Sequence, residues 1–242
     1  MKDIVVRIGG EGGEGVISCG ELLTTALARS NYEVFTFRTY PAEIKGGPAM
    51  FQVRSSDQPV LSQGNLADIL ITFNEEAYQL HGHTIRPDGL LLYDPAHYKP
   101  EGTYEAYGVP LEEITMSVVK SKLGKNVVAL GVIARVLGIS IELLDQLLKD
   151  RFGKKGEVVV GKNKDALRAG YNYVDQHPWK KSLPSFTPVP PCSILVGIPV
   201  LGPDRWASTM TQGISAMVAS PMTSTIKESP GPEVAVIAFL PA

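Results

Sequence analysis

The first forty residues alternate between a strand-like and a helix-like pattern of apolar positions. "DIVVRI" (3–8) is short, apolar and rich in β-branched residues, and it therefore predicts a strand. After a glycine-rich stretch, the apolar residues Val16, Leu23 and Leu27 recur at helical spacing, and "SNYEVFTFR" then predicts a second strand at 33–38. This order is typical of a β–α–β unit.

Further apolar runs extend the predicted sheet. They are "AMFQVRSS" (49–56), "ADILITF" (67–73), "GLLLYDP" (89–95) and, as an edge strand, "TYEAYGVP" (103–110). The segment "NEEAYQLHGHTI" predicts a helix between the second and third of these strands. Because strands and helices alternate, we expect an α/β fold, namely a Rossmann-like open, mostly parallel sheet with flanking helices.

From residue 111 to about 176 the pattern is helical. The four segments, each ending near a glycine or a charged turn, are "LEEITMSVVKSKLG", "NVVALGVIARVLG", "SIELLDQLLKDRFG" and "NKDALRAGYNYV". Ser140, followed by Glu142, is the expected N-cap of the third helix. We therefore predict one domain over residues 1–176.

The composition changes after this domain. The segment 175–193 holds five prolines, which cannot continue a helix, so we predict a proline-rich linker at 177–192. The tail 193–242 shows no convincing periodicity, and a segment of about 50 residues rarely sustains a core of its own. We expect it to pack on the first domain, to pair with another chain or to be partly disordered.

Composition and charge narrow the classes of protein. A chain of 242 residues with 44% hydrophobic residues can bury a substantial core. The formal charge of −2 argues against nucleic acid or an anionic membrane as a partner. The sequence has no apolar span of the roughly 20 residues that a membrane helix needs, nor a signal-peptide pattern, so we expect a cytoplasmic protein.

The cysteines and histidines do not predict a metal site. Cys19 and Cys192 lie far apart without metal-ligand spacing, as in proteins of a reducing compartment. Cys19, near the start of the first predicted helix, is more consistent with a small buried residue than with a reactive thiol. His81 and His83 lack a nearby third ligand, so a surface turn is the favoured interpretation.

The segment "RIGGEGGEGV" (7–16) places five glycines between the first strand and the first helix. The glycines that match the G-x-G-x-x-G spacing are Gly10, Gly12 and Gly15. In that context the free N–H groups and the helix dipole favour an anion. However, Glu11 and Glu14 place negative charge where a pyrophosphate would lie, and Arg38 follows the second strand where an NAD site would have an acid.

Three interpretations of the glycine loop remain. It binds NAD(P), with Arg38 meeting a 2′-phosphate; it binds another phosphate-bearing ligand or a protein partner; or its glycines only permit a tight turn and close packing of helix on strand.

A second stretch, "FRTYPAEIKGGPAMFQVR" (37–54), predicts a loop that presents side chains. The loop follows the carboxyl end of the second strand, and this edge of an open parallel sheet is where ligands bind. Its charged residues and the glycines through which it returns are Arg38, Glu43, Lys45, Gly46 and Gly47. The alternative is a solvated surface turn.

Together, these two stretches resemble the gamma domain of the 2-oxoacid:ferredoxin (2-oxoacid:acceptor) oxidoreductases, in the form fused at the N-terminus of the alpha subunit. The segments that carry the resemblance, in order, are "GGEGGEGVISCGELL", "FRTYPAEIKGGPAMFQVR", "ADILITFNEEAY", "RPDGLLLYDP", "NVVALGVIARVLG" and "ALRAGYNYV". They run from the first strand to about residue 176, so the resemblance makes 1–176 a gamma-type domain.

The resemblance implies participation in a thiamine-diphosphate-dependent reaction. A 2-oxoacid, coenzyme A and an oxidised acceptor give an acyl-CoA, carbon dioxide and the reduced acceptor, ferredoxin. Alpha and beta (thiamine-binding) subunits or domains are the expected partners, and homodimerisation or assembly with them is expected. Thiamine diphosphate, magnesium and iron–sulfur clusters are expected on those partners. No catalytic residue is expected in this chain, and the isolated chain is expected to be inactive.

In some members the gamma domain contributes to the coenzyme A site. If this holds here, the expected cofactor-binding residues are Gly10, Gly12, Gly13, Gly15, Arg38, Tyr40, Lys45, Gly46 and Gly47. The resemblance then implies that Arg38 or Lys45 neutralises the phosphates beside Glu11 and Glu14, unless the loop faces a protein partner.

The tail departs from the family pattern. "VASPMTSTIKES" keeps Pro221, Met222 and Thr223 of the family segment "YPMTPS" but lacks its tyrosine and its second proline. We therefore expect a truncated or frameshifted start of the alpha domain, without a catalytic role for Thr223. The alternative for the whole chain is a free-standing NAD(P)- or nucleotide-binding Rossmann-like protein, although no Tyr-x-x-x-Lys or Cys–His set is visible.

Overall fold

A computed structural model of the chain describes residues 3–41, 46–121 and 124–179. The strands and α-helices of these ranges, in chain order, are β1 (Asp3–Glu11), α1 (Val16–Arg29), β2 (Glu33–Thr39), β3 (Pro48–Ser56), β4 (Ala67–Thr72), α2 (Glu75–His81), β5 (Ile85–Tyr93), β6 (Glu105–Gly108), α3 (Leu111–Val119), α4 (Lys125–Leu137), α5 (Ile141–Phe152) and α6 (Glu157–Gln176).

The strands form one open sheet in the order β2-β3-β1-β4-β5-β6. The pairs β1–β4, β4–β5 and β5–β6 are parallel, whereas β3 is antiparallel to both of its neighbours, β1 and β2. The predicted α/β, Rossmann-like fold is confirmed, with a mixed sheet. β1 and β2 run parallel, as a β–α–β unit requires, but they are not neighbours. The short connection after β2 forms a hairpin, and this places β3 between them.

The main core lies between one face of the sheet and the helices. Alternate strand residues such as Val6, Ile8 and Ile71 belong to the same buried cluster as apolar residues of α1 and α4. Eleven of the thirteen residues of α4 are buried, including polar Lys125. A helix that is buried on nearly all sides lies inside the domain rather than on its surface.

Helices α4 and α6 approach until their backbones touch. A Cβ atom on Gly131 would lie 2.1 Å from the carbonyl oxygen of Leu167, and one on Gly170 would lie 2.0 Å from that of Val128. Both distances are far below van der Waals contact, so these two positions require glycine.

Helix α2 and the segment between β3 and β4 cover the opposite face of the sheet. Tyr78 of α2 packs against a cluster that contains Leu70 and Leu91 of β4 and β5. On β3, the side-chain amide of Gln52 donates hydrogen bonds to the carbonyl oxygens of Gln63 and Gly64, at 2.6 and 2.9 Å. The segment between β3 and β4 is thereby fixed across this face.

The predicted N-cap of the third helix of the helical region is confirmed. The Ser140 hydroxyl accepts a hydrogen bond from the N–H of Leu143 at 3.4 Å, at the start of α5. No helix of the described residues is long and apolar enough to cross a membrane. Residues 180–242, and with them most of the linker and the tail with Cys192 and Thr223, lie outside the described residues, so the predictions about them stay predictions.

Candidate functional site

The glycine loop leaves the first turn of α1 open. Gly15 is the N-cap residue, with φ of 85°, and no side chain caps the helix. The first hydrogen bond of the helix runs from the N–H of Cys19 to the carbonyl oxygen of Gly15, at 2.9 Å. The preceding N–H groups therefore have no partner within the helix, and the first turn holds no acidic residue. This end of α1 can accept an anion.

The two stretches singled out in the sequence meet at this end of the sheet. The N–H of Gly12 donates to the carbonyl oxygen of Gly47 at 2.9 Å. A Cβ on Gly12 would lie 2.9 Å from the carbonyl oxygen of Gly46. Gly46 and Gly47 both have positive φ, 80° and 73°, which a residue with a side chain rarely adopts. Glycine is thus needed on both sides of the contact.

The remaining glycines of the loop have different surroundings. A Cβ on Gly10 would lie 2.8 Å from Glu14 Oε2, and one on Gly15 would lie 2.5 Å from Asn126 Nδ2. Both positions are therefore limited by packing. A Cβ on Gly13, where φ is 102°, would have no described atom within 4 Å, so no described residue closes this side of the loop.

Glu14 turns away from the open side of the loop. Its carboxylate forms an ion pair with Lys125 at the start of α4, accepts a hydrogen bond from the N–H of Glu11 at 2.7 Å, and lies 3.3 Å from Asn74 Nδ2. The Lys125 side chain is only 11% exposed. Lys125 thus neutralises Glu14 within the chain, and the expectation that Arg38 or Lys45 neutralises a bound phosphate stays a prediction.

Arg38 lies on the surface beside α1. Its Nη1 is 3.3 Å from Glu21 Oε1, and its guanidinium carbon is 5.5 Å from the ring centre of exposed Tyr40. Arg151 of α5 donates to the other carboxylate oxygen of Glu21 at 2.8 Å and to the Ser18 hydroxyl at 3.2 Å. One carboxylate thus holds two guanidinium groups, which leaves a net positive charge beside the first turns of α1.

Two residues of this arrangement were missed in the sequence. Arg151 lies 130 residues after Glu21, and no local pattern connects them. Lys125 carries a weak signal, because a cation at the start of an otherwise apolar helix opposes the helix dipole and thus requires an acidic partner. Lys45 and Glu43 belong to residues 42–45, outside the described residues, so their expected roles stay predictions.

Cys19 and His81 are both packed against the fold. Cys19 is fully buried, and burial raises the pKa of its thiol to about 12, which confirms a packing residue rather than a reactive one. His81 ends α2 and is half-buried, with its ring near the backbone of Gly9, whereas His83 is exposed in the turn that follows. Burial lowers the pKa of the His81 imidazole. In the described ranges, no group of three or more His, Cys, Asp or Glu residues could hold a metal ion.

The strand order argues against a dinucleotide site. In a dinucleotide-binding Rossmann fold, the strand that follows the first helix pairs directly with the first strand. The end of that second strand reaches the ribose of the ligand. Here β3 separates β2 from β1, so Arg38 lies two strands away from the strand that leads into the glycine loop. The NAD(P) interpretation therefore loses its geometric basis.

The fold and the site define a class: an α/β protein with a Rossmann-like sheet and a glycine loop that can accept an anion. Residues 5–173 match the model of the family described as pyruvate ferredoxin/flavodoxin oxidoreductase, and the chain belongs to this family. Among its relatives, the 2-oxoglutarate synthase subunit KorC of Methanocaldococcus jannaschii is 30% identical over 173 residues, which cover 69% of this chain and 91% of the relative.

Solved structures agree with this assignment. The 2-oxoglutarate:ferredoxin oxidoreductase from Magnetococcus marinus, solved with 2-oxoglutarate, coenzyme A and succinyl-CoA bound, matches with a TM-score of 0.73 and 39% identity over 78% of this chain and 34% of that chain. The gamma subunit of a keto/oxoacid ferredoxin oxidoreductase from Geobacter sulfurreducens shares the fold, with a TM-score of 0.62, 24% identity and coverage of 71% of this chain and 96% of that chain.

The extent of these matches identifies a gamma-type subunit or domain. The chain spans about a third of the larger relatives that it matches, 31% and 34% in two of them. It spans nearly all of the smaller ones, 91% of the KorC subunit and 96% of the gamma subunit.

Proposed function

We propose that this chain is the gamma-type component of a thiamine-diphosphate-dependent 2-oxoacid:ferredoxin oxidoreductase and that it binds the phosphate groups of coenzyme A. The observation that carries the proposal is the open N-terminal turn of α1 beside Arg38 and Arg151. Helix N–H groups and guanidinium groups are the donors that proteins use for phosphates. The structure of the Magnetococcus marinus protein, described as holding coenzyme A, supports the choice of ligand.

The residues fit the phosphates of this ligand in three respects. No described residue covers the outer side of the loop at Gly13, so that a ligand can approach the backbone there. Glu14 is neutralised by Lys125, which removes the charge that opposes an anion. Arg38 and Arg151 share the carboxylate of Glu21 on the surface, and each can exchange that ion pair for a phosphate.

In this proposal, the chain and its partner subunits bind different cofactors of the reaction. Coenzyme A, when bound, supplies a thiol that accepts the acyl group. This chain binds and orients its phosphates, with Tyr40 and Lys45 as further contacts in the second loop. Thiamine diphosphate, magnesium and iron–sulfur clusters belong to the alpha and beta partners in this proposal, ferredoxin is the electron acceptor, and the complex acts in the cytoplasm.

The test compares coenzyme A binding in the complex assembled with its alpha and beta partners. The double variant Arg38→Ala/Arg151→Ala is expected to raise the KM for coenzyme A at least about tenfold, because each lost charged hydrogen bond costs about 1.5–3 kcal/mol. The KM for the 2-oxoacid stays within about twofold. Steady-state kinetics, with isothermal titration of coenzyme A as a second measurement, give both values.

A matched control is Arg135→Ala. This exposed arginine pairs with Asp175 at 2.7 Å, on α4 and α6, away from the glycine loop. Its variant keeps the wild-type KM for coenzyme A. If the double variant also keeps it, this chain does not bind the phosphates, and micromolar binding of NADPH to the isolated chain would favour a free-standing nucleotide-binding protein instead.

A further inference from the structure

Arg7 is a buried cation in the middle of β1, on the sheet face opposite α1. Arg7 is only 9% exposed to solvent. Its Nε donates to Gln52 Oε1 at 2.7 Å, and its Nη2 donates to the carbonyl oxygen of Asn65 at 3.3 Å. Both acceptors are neutral. A guanidinium group remains charged in proteins, so this charge is buried without compensation from these contacts.

The described residues supply no counter-ion to Arg7. None of the ion pairs between described residues includes it. Arg54 provides the comparison, because it lies on the same face, two residues along β3 from Gln52. Its Nε and Nη2 bind the two carboxylate oxygens of Asp3 at 2.9 and 2.6 Å. Buried charges in proteins are normally paired. Arg54, although only partly buried, has such a partner, whereas Arg7 has none among the described residues.

The surroundings of Arg7 are partly apolar and exposed. Strand pairing places Phe37, Gln52, Arg7 and Leu70 in one row across four neighbouring strands. Phe37, at the outer end of the row, is 39% exposed. Leu66 directly follows Asn65, whose carbonyl accepts from Arg7, and is 46% exposed. A buried charge with an exposed apolar border is typical of a protein interface.

We propose that the exposed side chains of Phe37 and Leu66 together with the accessible edge of Arg7, here called the Arg7 patch, dock an acidic side chain of a partner polypeptide. The inference rests on the proposed function for the existence of partner subunits. The carboxylate of a partner Asp or Glu binds the free edge of the guanidinium group, and apolar residues beside that acid pack on Phe37 and Leu66. Gln52 fixes the arginine from the other side.

A protein carboxylate fits this patch better than a free phosphate. Only one guanidinium edge remains for a ligand, and the bordering side chains of Phe37 and Leu66 offer no donors. A free phosphate requires several donors, as at the open end of α1. A carboxylate on a polypeptide needs one guanidinium, and its neighbours cover the apolar border.

The first experiment compares Arg7→Met with Arg54→Met in the full chain alone. Arg7→Met leaves Gln52 Oε1 and the carbonyl oxygen of Asn65 without this donor, so we expect it to lower the melting temperature. Arg54→Met removes one partner of an internal ion pair and lowers it as well. Both variants should remain folded, so that a difference in assembly between them reports the contact with the partner and not a loss of the fold.

The second experiment measures assembly with the alpha and beta partners. Arg7→Met is expected to raise the dissociation constant of the complex at least about tenfold, whereas Arg54→Met leaves it within about twofold. Equal affinities of wild type and Arg7→Met would contradict the patch. Failure of the wild-type chain to assemble at all would instead contradict the proposed function, so the two failures are distinguishable.

A third experiment identifies the occupant. A photo-crosslinking residue at position 37 captures the neighbouring partner segment in the complex, and mass spectrometry locates it. An Asp or Glu in that segment, changed to its amide, reproduces the loss of affinity, and combining it with Arg7→Met adds no further loss. Acetate that raises the melting temperature of wild type but not of Arg7→Met, with unchanged assembly, would show a site for a free anion and overturn the proposal.

Discussion

The ammonium group of Lys125 pairs with the carboxylate of Glu14, 111 residues earlier in the chain. The pair connects the start of α4 with the glycine loop, and both side chains are largely buried, at 11% and 20% exposure. Glu14→Gln leaves the buried lysine charge with only the Glu112 carboxylate, at 3.9 Å, and we expect it to lower the free energy of unfolding by about 3 kcal/mol. Denaturation in urea measures this loss.

The control for this pair is its neighbour in the same loop. Glu11→Gln replaces an exposed glutamate and is expected to change the free energy of unfolding by less than about 0.5 kcal/mol. Lys125→Met combined with Glu14→Gln should cost less than the sum of the single changes. Additive losses would show that the two side chains do not act as a pair.

The close approach of α4 and α6 predicts a contrast between two glycines of one helix. Gly170→Ala would drive a methyl group to 2.0 Å from the carbonyl oxygen of Val128, so the helices must separate, at a cost of about 3 kcal/mol. A methyl group in Gly161→Ala would meet no atom of the described residues within 4 Å, and the change should stabilise the helix by about 0.5–1 kcal/mol. Melting temperatures that fall equally in both variants would contradict this packing.

Burial of Cys19 predicts low reactivity of its thiol. With a pKa of about 12, a fraction on the order of 10⁻⁴ is thiolate at pH 8. In a Cys192→Ser background, iodoacetamide should label Cys19 slowly in buffer and rapidly in guanidinium chloride, as followed by mass spectrometry. Labelling at the same rate in both would contradict a buried thiol.

The raised pKa of Cys19 also predicts that the stability of the fold depends on pH. Because the folded-state pKa of Cys19 lies above the unfolded value of 9.0, its contribution is complete below pH 9 and is lost as the pH rises towards 12. The melting temperature of wild type should therefore fall more steeply over this range than that of Cys19→Ala.

Local patterns in the sequence were sufficient for most elements of the fold. β-Branched runs and helical spacing located the strands and helices, and the hydroxyl of Ser140 marked the start of α5. They could not show that β3 lies between β1 and β2, because strand pairing depends on contacts distant in sequence. β5 also begins at Ile85, before the glycine that the pattern suggested as its start.

In the candidate site, too, some residues could be predicted from the sequence and others could not. The glycines of the two loops were visible in the sequence, because positive φ and close backbone contacts favour glycine strongly. Lys125, Arg151 and Arg7 were not, since each acts through partners or burial that only the folded chain creates. Charge at a site is thus less predictable than backbone shape, because a long side chain can reach it from a remote segment.

The hairpin of β2 and β3 has a consequence for how the family diversifies. The loop that carries Tyr40 begins and ends on adjacent, paired strands, whose last pair is Thr39 and Met50. Its two ends therefore stay close together while the residues before Gly46 and Gly47, which contact Gly12, vary. Insertions, deletions or exchange of this loop can change ligand contacts while the sheet is left intact, so evolution or a designer can adapt the loop as an interchangeable part.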